Sequence, residues 1–337
     1  MTRETARVTM GDVASQLGLS RTTVSFVLSG RPDANIPQPT RDRVWDAVRE
    51  LGYRPNAAAT SLASRRTNLI GLVTEIATSP FAGEIIAGAQ ARAWNKGKLL
   101  LIVSSEGDTD IEDAAFEMML ERQVEGILYA TTWHREVQLP ASAHEVPTVL
   151  VNCFDARGDY PSFVPDEVEG GRLATEHLIA AGHRRVAFIN LDQDIPAAIG
   201  RRAGYERALE EAGVEVDPTL VVSGHATADG GYDRARELLN LPHPPTAIFC
   251  GNDRMAMGAY DAVKERGMRI PQDVALVGFD NQEIIAGYLR PKLTTVALPF
   301  QEMGARAVDL LTANPTATFP SPVGVQIACP LVQRASV

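Results

Sequence analysis

Polar residues that could bind a hydroxylated small molecule stand at the ends of apolar runs in the larger part of the chain. Asn252 follows the run Ala-Ile-Phe-Cys-Gly, and Asp280 follows Leu-Val-Gly-Phe. Asn152 ends another such run, and Arg201 opens a predicted helix after a loop. A guanidinium with carboxylates and carboxamides suits vicinal hydroxyls, because each hydroxyl both donates and accepts. The residues therefore predict a site for a sugar or polyol.

Three neighbouring residues leave alternatives open. Asp253 is equally suited to capping the helix that follows it. Asn281 is equally suited to a turn, and Arg202 rather than Arg201 could be the arginine that points inward.

Motifs for catalysis and for metal binding are missing from the sequence. It contains no Gly-x-Gly-x-x-Gly, no Gly-x-x-x-x-Gly-Lys-Ser/Thr, no His-Glu-x-x-His and no Gly-x-Ser-x-Gly. The six histidines lack metal-ligand spacing, and Cys153, Cys250 and Cys329 form no Cys-x-x-Cys pair. We therefore predict no enzyme activity, no catalytic residue, no cofactor and no metal site, with the cysteines as buried free thiols.

From Asn68 onward, short apolar runs alternate with amphipathic helical patterns, which is typical of parallel α/β units. The predicted strands lie at 69–74, 99–104, 126–130, 148–152, 185–190, 220–223, 247–251, 274–279 and 295–298. The predicted helices lie at 82–95, 111–122, 170–181, 201–212, 230–239 and 254–266. Two similar series in one chain make a cleft, and ligands of open parallel sheets bind beyond the carboxyl ends of the strands.

The net charge of −10 is unevenly distributed. Residues 1–66 carry ten Lys or Arg and six Asp or Glu, a net of +4, whereas the remainder carries 22 and 36, a net of −14. We refer to residues 1–67 as the head and to residues 68–337 as the body. The asymmetry indicates that only the head approaches a phosphate backbone. Because the start is polar and no window is apolar enough for a membrane helix, we expect a cytoplasmic protein.

The head has the pattern of a helix-turn-helix. Gly18 ends a first short helix and Ser20 can cap the second. A third helix is predicted with Thr40 as its N-cap and Gly52 as its stop, followed by an Ala-rich segment too short to be a stable helix alone. The apolar stripes of the three helices are Val13, Ala14 and Leu17, then Val24, Val27 and Leu28, then Val44, Val48 and Leu51.

The sequence resembles the LacI/GalR family of bacterial repressors, through Val8 to Gly30, Arg54 to Leu62, Arg201 to Tyr205, Gly251-Asn252-Asp253 and Val277 to Asp280. The resemblance implies major-groove contacts from Arg21, Thr22, Ser25 and Phe26, and phosphate or sugar contacts from Thr9, Ser20, Thr23, Thr40 and Asn56. Ser29 is a further expected DNA contact. Leu62 would be a minor-groove wedge with Ala59 packed beside it. Core packing remains an alternative for Phe26, and burial against the body remains one for Leu62.

The resemblance further implies effector contacts from Phe81, Asn152, Arg201, Asn252, Asp280 and Phe300. The implied fold is an all-α helix-turn-helix head joined to a two-lobed α/β body like that of periplasmic binding proteins, with parallel sheets. The expected divisions are 1–53 for the DNA-binding domain, 54–67 for a hinge helix or linker, 68–165 plus 299–325 for the first lobe, and 166–298 plus 326–337 for the second.

The expected function is sequence-specific repression by a homodimer on a palindromic operator, controlled by a sugar, polyol or nucleoside-like effector. No heptad tail follows the final strand, which argues against a coiled-coil tetramer. We expect the dimer contact near Ile85, Ala89 and Arg92. A periplasmic-type solute-binding protein is the rival interpretation, because the body alone would look much the same; the basic head and the lack of an export signal speak against it.

Overall fold

The computed structural model describes residues 8–29, 34–54, 66–75, 77–313 and 324–337. The head, Met1–Thr67, and the body, Asn68–Val337, are separate compact units. No helix within the described ranges is both long enough and apolar enough to cross a membrane.

The described head consists of three helices, α1 (Met10–Leu17), α2 (Arg21–Leu28) and α3 (Gln38–Leu51), which pack their predicted apolar stripes together. Thr9 and Asp12 form a reciprocal capping box at the start of α1, and Gly18 ends that helix with φ of 64°. The Ser20 hydroxyl accepts a hydrogen bond from the Thr23 amide at the start of α2. The helix-turn-helix is thus fixed by local side-chain chemistry at both ends of its turn.

The prediction of Thr40 as the N-cap of the third helix was wrong. The helix begins two residues earlier, at Gln38, with Pro37 as the N-cap residue. Pro39 fits the first turn because a helix leaves its first amides without intrahelical partners. Thr40 therefore lies inside the first turn, where its amide donates to the Pro37 carbonyl at 3.0 Å.

The first lobe of the body is built on a six-stranded sheet with the order β11-β5-β4-β3-β1-β2. Its strands are β1 (Leu69–Thr74), β2 (Leu99–Ser104), β3 (Ile127–Glu136), β4 (Thr148–Phe154), β5 (Ser162–Pro165) and β11 (Val325–Ile327). Its helices are α4 (Pro80–Asn95), α5 (Thr109–Glu121) and α11 (Phe300–Ala313). Every pair of neighbouring strands is parallel.

The second lobe repeats this arrangement with the order β12-β10-β9-β8-β6-β7. Its strands are β6 (Val186–Leu191), β7 (Val221–Gly224), β8 (Ala247–Cys250), β9 (Ala275–Asp280), β10 (Thr294–Ala297) and β12 (Leu331–Val332), of which only β12 is antiparallel to its neighbour among the described pairings. Its helices are α6 (Glu167–Ala180), α7 (Pro196–Glu211), α8 (Ala228–Leu239), α9 (Asp253–Glu265) and the short α10 (Glu283–Ala286).

The chain crosses between the lobes three times, after β5, after β10 and after β11. The last crossing comes two residues later than the expected division between residues 325 and 326, because β11 keeps Val325–Ile327 in the first sheet beside β5. The chain therefore returns to the second lobe between Ile327 and Leu331.

Two of the three residues near which we expected the dimer contact, Ile85 and Ala89, face the interior of their own lobe. Both side chains are buried inside the first lobe, at 1% and 0% exposure, where α4 packs against α11. The two helices approach so closely that a Cβ added at Gly88 would lie 2.0 Å from the Gln301 carbonyl oxygen. Arg92, the third residue of that prediction, pairs with Asp309 of α11 across the same helix interface.

Candidate functional site

A narrow cavity lies between the two lobes, at the carboxyl ends of both sheets. Its lining includes all six residues that the sequence assigned to a ligand, and these come from both lobes. The lining residues are Phe81, Thr132, Trp133, His134, Asn152, Glu167, Leu191, Ala197, Arg201, Asn252, Asp280, Leu298 and Phe300.

Arg201 is the central cation of the cavity. Its Nε donates to Glu167 Oε2 at 2.8 Å, its Nη2 to Glu167 Oε1 at 3.4 Å and its Nη1 to the Gly251 carbonyl at 2.6 Å. The guanidinium also lies 3.8 Å from the centre of the Phe279 ring. Arg201 is 4% exposed, whereas Arg202 lies on the outer face of α7 and pairs with Glu206. The cavity therefore contains a cation with three of its five N–H groups already hydrogen-bonded within the chain.

Arg201 was expected to open its helix, but it lies inside the helix instead. The helix α7 begins five residues earlier, with Pro196 at its first position, so Arg201 lies in the second turn. Its neighbour α6 brings Glu167 against it from the first turn, after the N-cap Asp166. The ion pair thus joins two helices of the second lobe.

Burial sets the electrostatics of the carboxylates around this cation. Burial raises the pKa of Asp280 to about 6, although Arg201, 3.8 Å away, opposes the shift. Burial and the nearby Asp280 likewise raise the pKa of Asp253 well above its usual range. Burial is the strongest influence on Glu167 and raises its pKa, but the charge and hydrogen bonds of Arg201, together with the adjacent His134, outweigh burial and lower the pKa of Glu167. Glu167 is therefore the ionised partner of Arg201.

The N-cap role that the sequence left open for Asp253 belongs to its neighbour Asn252. The Asn252 side chain accepts from the Met255 amide at 2.8 Å, so Asn252 is the N-cap of α9. Asp253 is completely buried and accepts from Thr295 Oγ1 at 2.6 Å and from the Gln282 amide at 2.7 Å. Asp253 therefore ties α9 to the loop after β9.

Two polar cavity residues have left-handed backbone conformations. Asn152 of β4 has φ of 61°, and Asp280 at the end of β9 has φ of 108°. Such conformations are uncommon for residues other than glycine and cluster at ligand-binding sites. Asn281 also has a positive φ, of 56°, consistent with its turn interpretation.

The first lobe supplies the apolar wall of the cavity. The rings of Phe81 and Phe300 lie 5.3 Å apart and tilted, and both side chains are buried. Trp133 extends from β3 and packs against the apolar cluster of the second lobe. Leu298 completes this wall between the lobes.

Seven lining residues were not predicted from the sequence, Thr132, Trp133, His134, Glu167, Leu191, Ala197 and Leu298. The first three were missed because the strand that was predicted to end at Ala130 continues to Glu136. Thr132 Oγ1 and His134 Nδ1 are buried atoms without a hydrogen-bond partner in the structure. Unpaired buried polar atoms are rare in native proteins, so these two favour a ligand as their partner. The run Thr-Thr-Trp-His directly after the apolar strand was the available signal.

The expected DNA contacts of the head divide into side chains that form the N-terminal helix caps, exposed side chains and half-buried side chains. Thr9, Ser20 and Thr23 take part in the helix caps, whereas Arg21, Thr22 and Ser29 are exposed on or after α2. Ser25 and Phe26 are half-buried on α2, and Thr40 is half-buried on α3. The apolar cluster of the described head does not include Phe26. Asn56, Ala59 and Leu62 lie outside the described residues.

Within the described ranges, no group of three His, Cys, Asp or Glu side chains is arranged to hold a metal ion. Cys153, Cys250 and Cys329 are free and buried. Burial raises the pKa of all three thiols, as expected for structural cysteines.

Two family models match the chain. One, described as bacterial regulatory proteins of the lacI family, matches residues 9–56, and the other, a periplasmic binding protein-like domain, matches residues 175–337. The HTH-type transcriptional repressor PurR of Escherichia coli O139:H28 is 34% identical over 332 residues, which cover 98% of this chain and 96% of that protein.

Solved structures agree with these matches. The lac repressor dimer bound to operator and the anti-inducer ONPF is 28% identical with a TM-score of 0.79, over 98% of this chain and 99% of that one. The complex of the transcriptional regulator CelR with cellobiose is 31% identical with a TM-score of 0.67, over 98% of this chain and all of that one.

Proposed function

The chain belongs to the LacI family and is a transcriptional regulator, and from this premise we propose that it represses transcription as a homodimer under the control of a sugar or polyol. The observation that carries the proposal is the convergence of six expected ligand residues on one cavity between the lobes. The relatives agree, since PurR is named as a repressor and CelR was solved with cellobiose.

The proposed DNA interface is the outer face of α2. Arg21 and Thr22 are exposed there, and the half-buried Phe26 lies outside the head's apolar cluster. An aromatic ring on this face cannot hydrogen-bond a guanine, so Phe26 would contact a thymine methyl or read groove shape. Two such heads in a dimer would read half-sites about one helical turn apart.

The proposed effector bridges the two walls of the cavity. Hydroxyls would hydrogen-bond Asp280, Asn152 and the Arg201 guanidinium, while the pyranose face packs against the rings of Phe81 and Phe300. Binding across the cleft changes the angle between the lobes, and it shifts the DNA-binding equilibrium only by its differential affinity for the two states, about 1 to 3 kcal/mol.

The DNA half of the proposal is tested by operator selection and binding with the full chain. We expect Phe26→Ala to weaken binding to the selected duplex, and Trp45→Ala to leave it unchanged, because Trp45 lies exposed on α3. A dimer that neutralises about 6 to 10 phosphates should lose about three to five decades of affinity between about 50 and 200 mM salt. A monomer with no preference for any duplex would contradict the proposal.

The effector half is tested by a thermal-shift screen of sugars, polyols and nucleosides, followed by operator binding with each hit. We expect Asp280→Ala to abolish the response to the hit while operator binding persists. Asp261→Ala is the matched control, because Asp261 is an exposed carboxylate on α9. A normal response in the Asp280 variant would place the effector elsewhere.

A nucleoside-like effector is the second candidate. The observation in its favour is the aromatic character of the first-lobe wall, where Phe81, Phe300 and Trp133 offer faces for a planar base. The same screen separates the candidates, since a nucleoside hit without a sugar hit would select this one.

A further inference from the structure

Glu167 lies against Arg201 and neutralises the positive charge that this arginine would otherwise present to a ligand in the cavity. Its carboxylate contacts the Nε and Nη2 edge of the Arg201 guanidinium, the geometry in which arginine holds carboxylates and phosphates. Both side chains are about 95% buried, with 5% and 4% exposed. The edge of Arg201 that would hold an anionic ligand is therefore already occupied by a group of this chain.

A third hydrogen bond of Arg201 is also made within the chain, which leaves two of its five N–H groups without a hydrogen bond. Nη1 donates to the Gly251 carbonyl at 2.6 Å and lies 3.8 Å from Asp280 Oδ1. The charged side chains that line the cavity are thus two carboxylates and one guanidinium, with His134 as the remaining titratable group. An anion entering this cavity would face two carboxylates, and the guanidinium of the lining is already paired with Glu167.

Two buried polar atoms of the cavity lining lack hydrogen-bond partners, a hydroxyl oxygen and an imidazole nitrogen. Thr132 Oγ1 and His134 Nδ1 both lie on the part of β3 that lines the cavity, and both are buried. A hydroxyl group of a ligand can satisfy either atom, because it donates and accepts. His134 Nδ1 is 3.9 Å from Glu167 Oε1, which is too long for a hydrogen bond but leaves the two groups facing each other.

We infer that Glu167 acts as an internal anion that holds Arg201 and so restricts the cavity to uncharged polyhydroxy ligands, excluding phosphorylated and carboxylated ones. This inference rests on the proposed function for the location of the ligand, but not for its identity. It assigns Glu167 a role in specificity and Thr132 and His134 a role as ligand contacts.

The test uses the full chain with Trp45→Phe and Trp94→Phe, so that Trp133 in the cavity wall is its one remaining tryptophan and reports binding by fluorescence. The probes are glucose, cellobiose, glucose 6-phosphate, glucuronate and inorganic phosphate, titrated at constant ionic strength. We expect no saturable response to the three anions in the parent protein. A parent that binds glucose 6-phosphate or inorganic phosphate as tightly as the neutral sugars would overturn the inference.

The variant Glu167→Gln removes the charge but keeps the size of the side chain. We expect it to gain affinity for inorganic phosphate by at least about tenfold, because the Arg201 edge then lacks an anionic partner. Glu167→Asp, which keeps the charge, should still exclude phosphate. Glu169→Gln is the matched control, since Glu169 pairs with Arg172 on the same helix and does not line the cavity.

Two measurements keep the outcomes separate. If no neutral sugar binds but Glu167→Gln gains phosphate, the sugar proposal fails while the role of Glu167 stands. If Glu167→Gln is folded, as shown by operator binding, and gains no phosphate, the role of Glu167 fails. If that variant does not fold, the comparison of anionic with neutral probes in the parent protein decides.

Discussion

The two lobes place a polar residue with a left-handed backbone at the same position of their sheets. Asn152 lies on β4 and Asp280 at the end of β9, and each strand is third in the order of its sheet. Asn152 donates from its Nδ2 to the carbonyls of Thr131 and Thr132, whereas Asp280 belongs to a buried cluster of charges. The repeated scaffold therefore fixes where the ligand residues stand, and the residue types alone make one wall neutral and the other charged.

The stability of the charged wall, which the second lobe forms with Glu167, Arg201 and Asp280, should depend on the cation Arg201 more than on any other residue. We expect Arg201→Ala to lower the free energy of unfolding by about 3 to 5 kcal/mol, because it leaves Glu167 buried without a countercharge. Urea unfolding followed by circular dichroism measures the loss. Arg202→Ala, which removes an exposed arginine next to it, should change stability by less than about 0.5 kcal/mol.

Removing both charges refines this prediction. The double variant Arg201→Ala with Glu167→Ala should recover part of the stability, since it leaves no unpaired charge. A double variant that is as unstable as the sum of the two single variants would mean that packing, and not charge, accounts for the effect.

On the neutral wall of the first lobe, an aspartate in place of Asn152, like the Asp280 of the charged wall, should destabilise the protein. We expect Asn152→Asp to cost about 2 to 4 kcal/mol near neutral pH, because a carboxylate would replace a donor that faces two carbonyl oxygens. Its destabilisation should decrease at about pH 5, where a protonated carboxyl can donate to one of the carbonyls. Asn152→Ala is the control that loses the hydrogen bonds without adding charge, and a cost equal to that of Asn152→Asp would contradict the argument.

The reciprocal exchange, Asp280→Asn, should change the pH dependence of stability. The folded-state pKa of Asp280 is raised to about 6, so its contribution is present at low pH and is lost as the pH rises through about 6. The stability of Asp280→Asn relative to the parent should therefore increase by about 2 to 3 kcal/mol between about pH 4 and pH 7. Asp253 adds to this increase. The Asp280 charge helps to raise the pKa of Asp253, so removing that charge also lowers the cost of ionising Asp253 as the pH rises.

The measurement is a series of urea unfolding curves for both proteins over this pH range. Taking the difference cancels every group that titrates alike in the two proteins. A difference that stays flat, or that decreases with pH, would show that Asp280 is ionised at no cost in the folded protein.

The sequence predicted which polar residues line the cavity at the strand ends, but it did not predict the ion pair between Glu167 and Arg201. Asn252 and Asp280 were predicted because parallel strands bring their carboxyl ends to one edge, which follows from the strand pattern alone. Glu167 was not considered, because it precedes the helix predicted at 170–181, whereas the structure places it in the first turn of α6. Its contact with Arg201, 34 residues later, depends on how two helices pack.

Element boundaries explain the other differences. The strand β3 was cut short at Ala130, which removed Thr132 and His134 from consideration. Ile85 and Ala89 have the spacing of one helix face, and that spacing does not tell whether the face meets another subunit or a helix from the same chain. Here that partner is α11, which follows more than 200 residues later in the chain.

Trp133 is the exception to the division between the lobes, because it belongs to a first-lobe strand and packs against the second-lobe apolar cluster. Since its ring is only partly buried, we expect Trp133→Phe to change the free energy of unfolding by less than about 1 kcal/mol. The same change should weaken effector binding more than it weakens folding, because the ring closes the cavity between the lobes. Trp94→Phe is the matched control, at 70% exposure on α4, and an equal effect of the two variants on effector affinity would remove Trp133 from the contact between the lobes.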